Sequence, residues 1–125
     1  MALTKGTLDR KAAKISGTYS TIYTCPAARV AKLDSLLISN LHASWDMQVW
    51  VGLEIGGTLF EMISGAKLSA STWEPGGRVP LVLECKQTLK AGDAIKAKIG
   101  AIAQPTWVNT SQDAAIFLSI IEFTV

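Results

Sequence analysis

The stretch Leu89-Lys90-Ala91-Gly92-Asp93-Ala94-Ile95-Lys96-Ala97-Lys98-Ile99 decides the fold class of this chain. Gly92 and Asp93 predict a chain reversal, because glycine accepts a positive φ and an aspartate side chain can bond nearby backbone. After the turn, isoleucine and alanine alternate with lysine, so that one face of an extended segment is apolar and the other is charged. The pattern predicts a half-buried antiparallel strand, and similar segments recur along most of the chain.

Segments rich in β-branched, aromatic and apolar residues, separated by glycine and proline, predict the other strands. The predicted strands are 18–25, 29–40, 45–51, 58–63, 67–73, 79–85, 95–99 and 114–125. Ser64-Gly65 is expected to end one of them, and Glu74-Pro75-Gly76-Gly77-Arg78 is the strongest loop signal. Residues 5–15 carry only a weak helical pattern. The sequence therefore predicts an all-β fold, a single antiparallel β-sandwich or jelly roll of about seven or eight strands.

The chain has 125 residues, a length that suits one domain with a sizeable core. We expect residues 1–17 to form an extended N-terminal arm and residues 18–125 to form the β-sandwich domain. Asp9 is the single acidic residue of the arm. The basic residues of the arm are Lys5, Arg10, Lys11 and Lys14. Such an arm could lie along an acidic neighbouring surface, or it could be a solvated tail.

The composition is unusually apolar. Hydrophobic residues make up 49% of the chain and charged residues 18%, against roughly 25% charged in an average soluble protein. We expect exposed apolar surface that a partner covers, with self-association or docking into an assembly favoured over an unusually apolar monomer. The net charge of +2 is too small to indicate a direct nucleic-acid partner. No signal peptide and no stretch of transmembrane length is visible, so we expect no membrane partner and synthesis in the cytoplasm.

The residues that usually carry catalysis form no motif. His42 is the only histidine, and no nucleophile motif accompanies it. Cys25 and Cys85 lack metal-ligand spacing and are expected to be buried free thiols, although a disulfide between them stays open. The carboxylates considered for a paired-acid site are Asp46, Glu54, Glu61, Glu74 and Glu84, and the sequence pairs none of them. We predict no catalytic residue, no cofactor and no metal site.

The tryptophans are the candidate contact residues. Trp50 falls on the face opposite the apolar set of its predicted strand, and Trp73 and Trp107 flank loops. Exposed aromatic side chains anchor protein interfaces or stack on sugars. We predict that these three tryptophans and the basic residues of the arm are interface residues. A carbohydrate site near Trp73 or Trp107 is the alternative.

Three segments together resemble a pattern found in small structural proteins of tailed bacteriophages. The segment 22–33, Ile-Tyr-Thr-Cys-Pro-Ala-Ala-Arg-Val-Ala-Lys-Leu, is similar to a "YT-x-PAG-x-x-A" opening. Val49-Trp50-Val51-Gly52 is similar to a "VWVG" strand, and residues 89–95 are similar to an "L-L-x-x-G-D-x-I" turn. The likeness covers residues 20–125 and departs from the pattern at Ala28, where glycine is usual, and in the long connection 100–112.

The resemblance implies a virion component without catalytic residues, made in the host cytoplasm. Proteins of this kind decorate or cement capsids, or serve as tail, baseplate or fibre accessory proteins. Their partners would be other copies of the same chain, with a trimer among the expected forms, and major capsid or tail proteins. A carbohydrate-binding module is the second class of function. An enzyme is the third, and the single histidine disfavours it.

Overall fold

The computed structural model describes residues 6–41, 46–68, 80–101 and 114–124, and these ranges contain eight strands. The strands are β1 (Gly6–Ile15), β2 (Ser20–Thr24), β3 (Arg29–Asn40), β4 (Met47–Ile55), β5 (Thr58–Leu68), β6 (Leu81–Lys90), β7 (Ala94–Ala101) and β8 (Ala114–Thr124). They form two four-stranded sheets with the orders β1-β8-β3-β6 and β2-β7-β4-β5. Every pairing within both sheets is antiparallel. The described ranges include no helix that could cross a membrane.

The connectivity is that of a jelly roll. Consecutive strands lie in opposite sheets, with the exception of β4 and β5, which pair with each other. The chain thus alternates between two layers, as in the double-sheet jelly rolls of viral capsid and lectin domains. The predicted all-β sandwich is confirmed.

The core lies between the two sheets and is built from strand alternation. In β7, Ile95, Ala97 and Ile99 are buried, while Lys96 and Lys98 are partly exposed on the other face. β4 follows the same rule, because its alternate side chains from Met47 onward enter the core. The alternation read from the sequence is confirmed in both strands.

The turn at Gly92 joins one sheet to the other. Lys90 ends β6 in the first sheet and Ala94 begins β7 in the second. Gly92 has φ +91°, and the Asp93 carboxylate accepts a hydrogen bond of 2.9 Å from the Lys90 amide. The turn is also tied to the end of β2, since the Gly92 amide donates to the Cys25 carbonyl at 3.0 Å. The glycine and the aspartate therefore act as the sequence predicted, at a crossing between sheets.

The N-terminal segment differs from the expected arm and from a helix. Residues 6–15 form β1, which pairs with β8 along its whole length, from Gly6 opposite Phe123 to Ile15 opposite Ala114. β8 supplies a continuous backbone template, and the pairing outweighs the weak strand propensity of β1 itself. The charged side chains that suggested an arm are typical of an edge strand, where they discourage pairing with other chains. In the described part of the chain the sandwich thus begins at Gly6.

Gly65 marks a bulge where the sequence predicted the end of a strand. Trp50 lies opposite Ser64 and Val49 lies opposite Ala66, so Gly65 has no partner in the ladder. Its φ of +72° suits glycine, and β5 continues beyond it to Leu68.

Replacing Ala28 with glycine is expected to stabilise the fold by up to about 1 kcal/mol. Ala28 has φ +61° in the turn between β2 and β3, and a left-handed conformation costs an L-residue about 1–2 kcal/mol. The greater freedom of glycine in the unfolded chain offsets about half of this gain. Urea unfolding measures the effect, with Ala27→Gly in the same turn as a control that should destabilise. Equal destabilisation by both changes would contradict the prediction.

Candidate interaction surface

The outer face of the first sheet carries an apolar row that crosses all four strands. Strand register places Ala12 beside Phe117, Phe117 beside Leu37, and Leu37 beside Val82. Phe117 is 48% exposed and Val82 is 59% exposed. Side chains alternate along a strand, so Phe117 points away from the core that its neighbours Ile116 and Leu118 enter. These four residues, called the apolar row below, form a continuous band of exposed or half-buried hydrocarbon.

A second row runs parallel to the first and is displaced from it by two residues along each of the four strands. Register places Arg10 beside Ser119, Ser119 beside Ser35, and Ser35 beside Glu84. This polar row has opposite charges at its two ends and small hydroxyl side chains in the middle. Members of both rows line an open groove of about 520 Å³. The outer face thus combines an apolar strip, a depression and two exposed charges of opposite sign.

The predicted basic residues fall on the edge of this face. Arg10, Lys11 and Lys14 all lie on β1, and Arg10 and Lys11 line the groove. The predicted contact residues that lie outside the described ranges are Lys5, Trp73 and Trp107. The structure therefore brings the basic strand together with the apolar row. Phe117 and Val82, which carry the exposed part of this face, are not among the interface residues predicted from the sequence.

Trp50 lies on the outer face of the other sheet, away from the apolar row. The ring is half-buried against its own sheet, where a methyl group added at Gly100 would lie 2.9 Å from its Cζ3 atom and one at Gly65 would lie 3.6 Å from its Cζ2 atom. The Lys98 ammonium sits 5.0 Å from the Trp50 ring centroid and 4.9 Å from the Tyr19 ring centroid. Within the chain, Trp50 covers two glycines and contacts a cation. Its role as an interface residue stays a prediction.

Replacing Gly100 with alanine is expected to destabilise the fold by about 1–3 kcal/mol, because the new methyl group would overlap the indole of Trp50. In a Trp50→Val background the same change should be neutral or slightly stabilising, since the clash is gone and alanine restricts the unfolded chain. Thermal unfolding of the four chains gives this double-mutant cycle. An equal cost in both backgrounds would contradict the proposed contact.

A polar cluster ties the two sheets together at one end. The Tyr23 hydroxyl donates to Glu122 Oε1 at 2.9 Å, and Arg29 Nη1 donates to Glu122 Oε2 at 2.7 Å. The Glu122 side chain is only 10% exposed. Burial, followed by the hydrogen bond and the charge of Glu122, raises the pKa of Tyr23 well above its ordinary value. Tyr23 belongs to the second sheet and the other two residues to the first, so the cluster is a structural clamp.

Both cysteines are free, so the open alternative of a disulfide does not occur in this structure. Cys25 is fully buried, and its thiol lies 3.6 Å from the Arg29 carbonyl and 3.7 Å from the Leu89 carbonyl. Cys85 is half-buried, and burial raises the pKa of both thiols, which favours the protonated form.

Three of the five carboxylates considered for catalysis have structural partners, and Glu74 lies outside the described ranges. Glu54 pairs with Lys96 at 2.8 Å, and Asp46 pairs with Lys67 at 3.4 Å. Glu61 accepts a hydrogen bond of 3.2 Å from Tyr19. Within the described ranges, no three histidine, cysteine or acidic side chains are grouped so that they could hold a metal ion.

Comparison with solved structures finds the same architecture in bacteriophage capsids. A chain of the acidic stable capsid structure of Helicobacter pylori bacteriophage KHP30 superposes with a TM-score of 0.56 at 13% identity, covering 98% of this chain and 90% of that one. A chain of the cyanophage Pam1 capsid asymmetric unit superposes with a TM-score of 0.50 at 10% identity, covering 96% and 86%. At such low identities, the shared feature is the fold. No protein-family model and no curated protein matches the sequence.

Proposed function

We propose that this chain is a non-enzymatic structural protein of a bacteriophage virion, acting as a capsid decoration or cement protein that stabilises the particle through subunit contacts. The fold likeness supports this role because it extends over nearly the whole of both chains, 98% of this one and 90% of the KHP30 capsid chain. A match of that extent compares the whole β-sandwich of this chain with a whole β-sandwich of the capsid chain, and not with one part of a larger fold. The resemblance of the three sequence segments to tailed-phage structural proteins points to the same class.

The apolar row is the observation that carries the proposal. Its two large exposed members, Phe117 and Val82, leave about half or more of their surface in water. Burying apolar surface contributes about 25 cal/mol per Å², so covering this face in an assembly is favourable. A particle repeats each such contact at many symmetric positions, and simultaneous engagement multiplies its effect on particle stability.

Purified virions of the phage that encodes this chain test the role. Quantitative peptide mass spectrometry of gradient-banded particles should find the chain at a copy number comparable to that of the major capsid protein. Particles without it should release their DNA at a lower temperature, and adding the purified chain should restore the original temperature. Absence of the chain from virions would overturn the proposal. A few copies located on the tail would indicate a tail, baseplate or fibre accessory protein instead.

A Phe117→Ser chain sharpens the add-back experiment. It should fail to restore particle stability, because the substitution removes the largest side chain of the apolar row. Phe60→Ser is the matched control, since Phe60 is 55% exposed on a strand of the other sheet. Full restoration by both variants would show that the apolar row does not make the stabilising contact.

A further inference from the structure

We propose that the apolar row binds the same row of a second copy of this chain, across a two-fold axis that runs parallel to the strands of the first sheet. This proposal rests on the proposed function in one respect, namely that the outer face of the first sheet is covered in an assembly. It adds the identity of the partner, which is a second copy of this chain. Two sheets would then pack face to face, as the layers of a sandwich do at about 10 Å separation.

The apolar row is complementary to its own rotated image. A two-fold axis parallel to the strands reverses the order β1-β8-β3-β6, so β1 of one copy faces β6 of the other and β8 faces β3. Ala12 therefore meets Val82 of the second copy, and Phe117 meets Leu37. The smallest side chain of the row faces a larger one, and the large central pair repeats on both sides of the axis. Each contact occurs twice, which is the property of a closed dimer interface.

The charges obey the same symmetry. Arg10 and Glu84 stand at opposite ends of the polar row, so the rotation brings Arg10 of each copy opposite Glu84 of the other. The two Arg10–Glu84 ion pairs thus lie at the two ends of the polar row, beside the apolar row, and the short side chains of Ser35 and Ser119 leave the groove between them open to receive larger groups. Charge pairing of this kind fixes the register of an interface.

The charges also exclude the other face-to-face arrangement. A two-fold axis perpendicular to the strands would place β1 against β1 of the second copy. Arg10 and Lys14, the basic side chains on the outer face of β1, would then lie against the same two side chains of the second copy. Like charges facing each other across an interface cost free energy, so this orientation is disfavoured. The parallel axis is the one that matches charge as well as shape.

The face is large enough for a stable dimer. Four strands about 4.8 Å apart, each about ten residues long at about 3.4 Å per residue, present about 650 Å². Two such faces bury about 1,300 Å² together, which exceeds the roughly 1,000 Å² needed by a specific interface. Crossing of the twisted sheets reduces this overlap at the corners and leaves the central apolar row covered.

Charge reversal tests the pairing in the full-length chain. Sedimentation equilibrium should give a dimer for the unmodified protein. Arg10→Glu and Glu84→Arg should each raise the dissociation constant at least tenfold, because each places like charges opposite one another at both ends of the interface. The double variant Arg10→Glu/Glu84→Arg should return the constant to within about threefold of the original, since it restores both pairs in reversed form. Additive weakening in the double variant would overturn the proposed register.

A second pair of variants tests the apolar centre. Phe117→Ser should raise the dissociation constant at least a hundredfold, whereas Phe60→Ser, on the other sheet, should leave it unchanged. A monomer at all concentrations, a trimer, or a dimer insensitive to Phe117→Ser would each overturn the two-fold pairing. Presence of the chain in virions together with any of these results would leave the proposed virion role standing. If the chain forms a dimer that Phe117→Ser weakens as expected but is absent from virions, the two-fold pairing stands and the proposed virion role is wrong.

Discussion

Replacing Leu36 with alanine should lower the free energy of unfolding by about 3 kcal/mol, while the same change at Leu37 should lower it by less than about 1 kcal/mol. The two leucines are neighbours on β3 and have opposite surroundings. Leu36 is 1% exposed in the core between the sheets, where alanine would leave a cavity. Leu37 is half-buried on the outer face, where water or a rearranged neighbour fills the space. One chemical change thus has two outcomes, decided by strand alternation.

Urea unfolding at a concentration low enough for the monomer measures both variants. Each serves as the control for the other, because the two substitutions share residue type, strand and position relative to the turns. Sedimentation of the same variants at higher protein concentration adds an independent measurement, in which Leu37→Ala should weaken the proposed dimer and Leu36→Ala should not. Equal destabilisation by the two variants would contradict the assignment of inner and outer faces to β3.

Alternation was the most informative signal in the sequence where one face of a strand meets water. The lysines of 95–99 are distinguishable from the isoleucines at a glance, and the strand forms as predicted. The segment 29–40 has nearly continuous apolar character at its centre, yet its turn residues set its ends, and β3 spans this range. The Gly92-Asp93 turn was readable because its chemistry is local, involving positive φ and a carboxylate three residues from its amide partner.

Features that depend on distant pairing could not be read in the same way. β1 has little strand propensity of its own and forms beside β8, more than a hundred residues later. The bulge at Gly65 looks like a strand end, because a single sequence does not show which partner continues beyond it. The ion pair and hydrogen bond at Glu122 join residues 93 and 99 positions apart. Tyr23 and Arg29, two residues of the 22–33 segment, thus share a partner far outside it.

The apolar row was missed for a related reason. The run Ala114–Thr124 is apolar on both faces, and such a run predicts coverage on both sides without saying what covers each. In the structure one face of β8 is core and the other carries Phe117, 48% exposed. The tryptophans are the aromatic residues that the sequence offers as interface anchors, because aromatic side chains are common at interfaces. A two-sided apolar strand in a chain with only 18% charged residues was the better signal.

Replacing Glu122 with alanine is expected to lower the free energy of unfolding by about 2–3 kcal/mol. The change leaves the Tyr23 hydroxyl without its acceptor in a site that is 5% exposed, and removes the partner of the Arg29 guanidinium. A buried donor that loses its acceptor costs its full desolvation free energy, which exceeds the net value of an ordinary hydrogen bond. The loss should also loosen one sheet from the other, because the cluster connects β2 to β3 and β8.

Two variants separate the clamp from general effects of charge. Glu122→Gln keeps an oxygen acceptor for Tyr23 while removing the charge, so it should cost less than alanine. Glu84→Ala removes an exposed carboxylate from the same sheet and should change the unfolding free energy of the monomer by less than about 0.5 kcal/mol. Chemical denaturation measures all three. A similar cost at Glu84 and Glu122 would mean that net charge, and not the clamp, determines the effect.

The pH dependence of stability gives a second measurement of the same cluster. Burial and the Glu122 carboxylate raise the pKa of Tyr23 in the folded chain, so the folded state holds this proton above pH 10, where the unfolded chain releases it. The resulting stabilisation is fully present below pH 10 and declines above it by about 1.4 kcal/mol per pH unit. Tyr23→Phe has no such proton, so the difference in stability between the original chain and this variant should shrink as the pH rises from 9 to 11. Because every other titrating group is common to both chains, a difference that stays constant over this range would show that the Tyr23 hydroxyl is not held by Glu122.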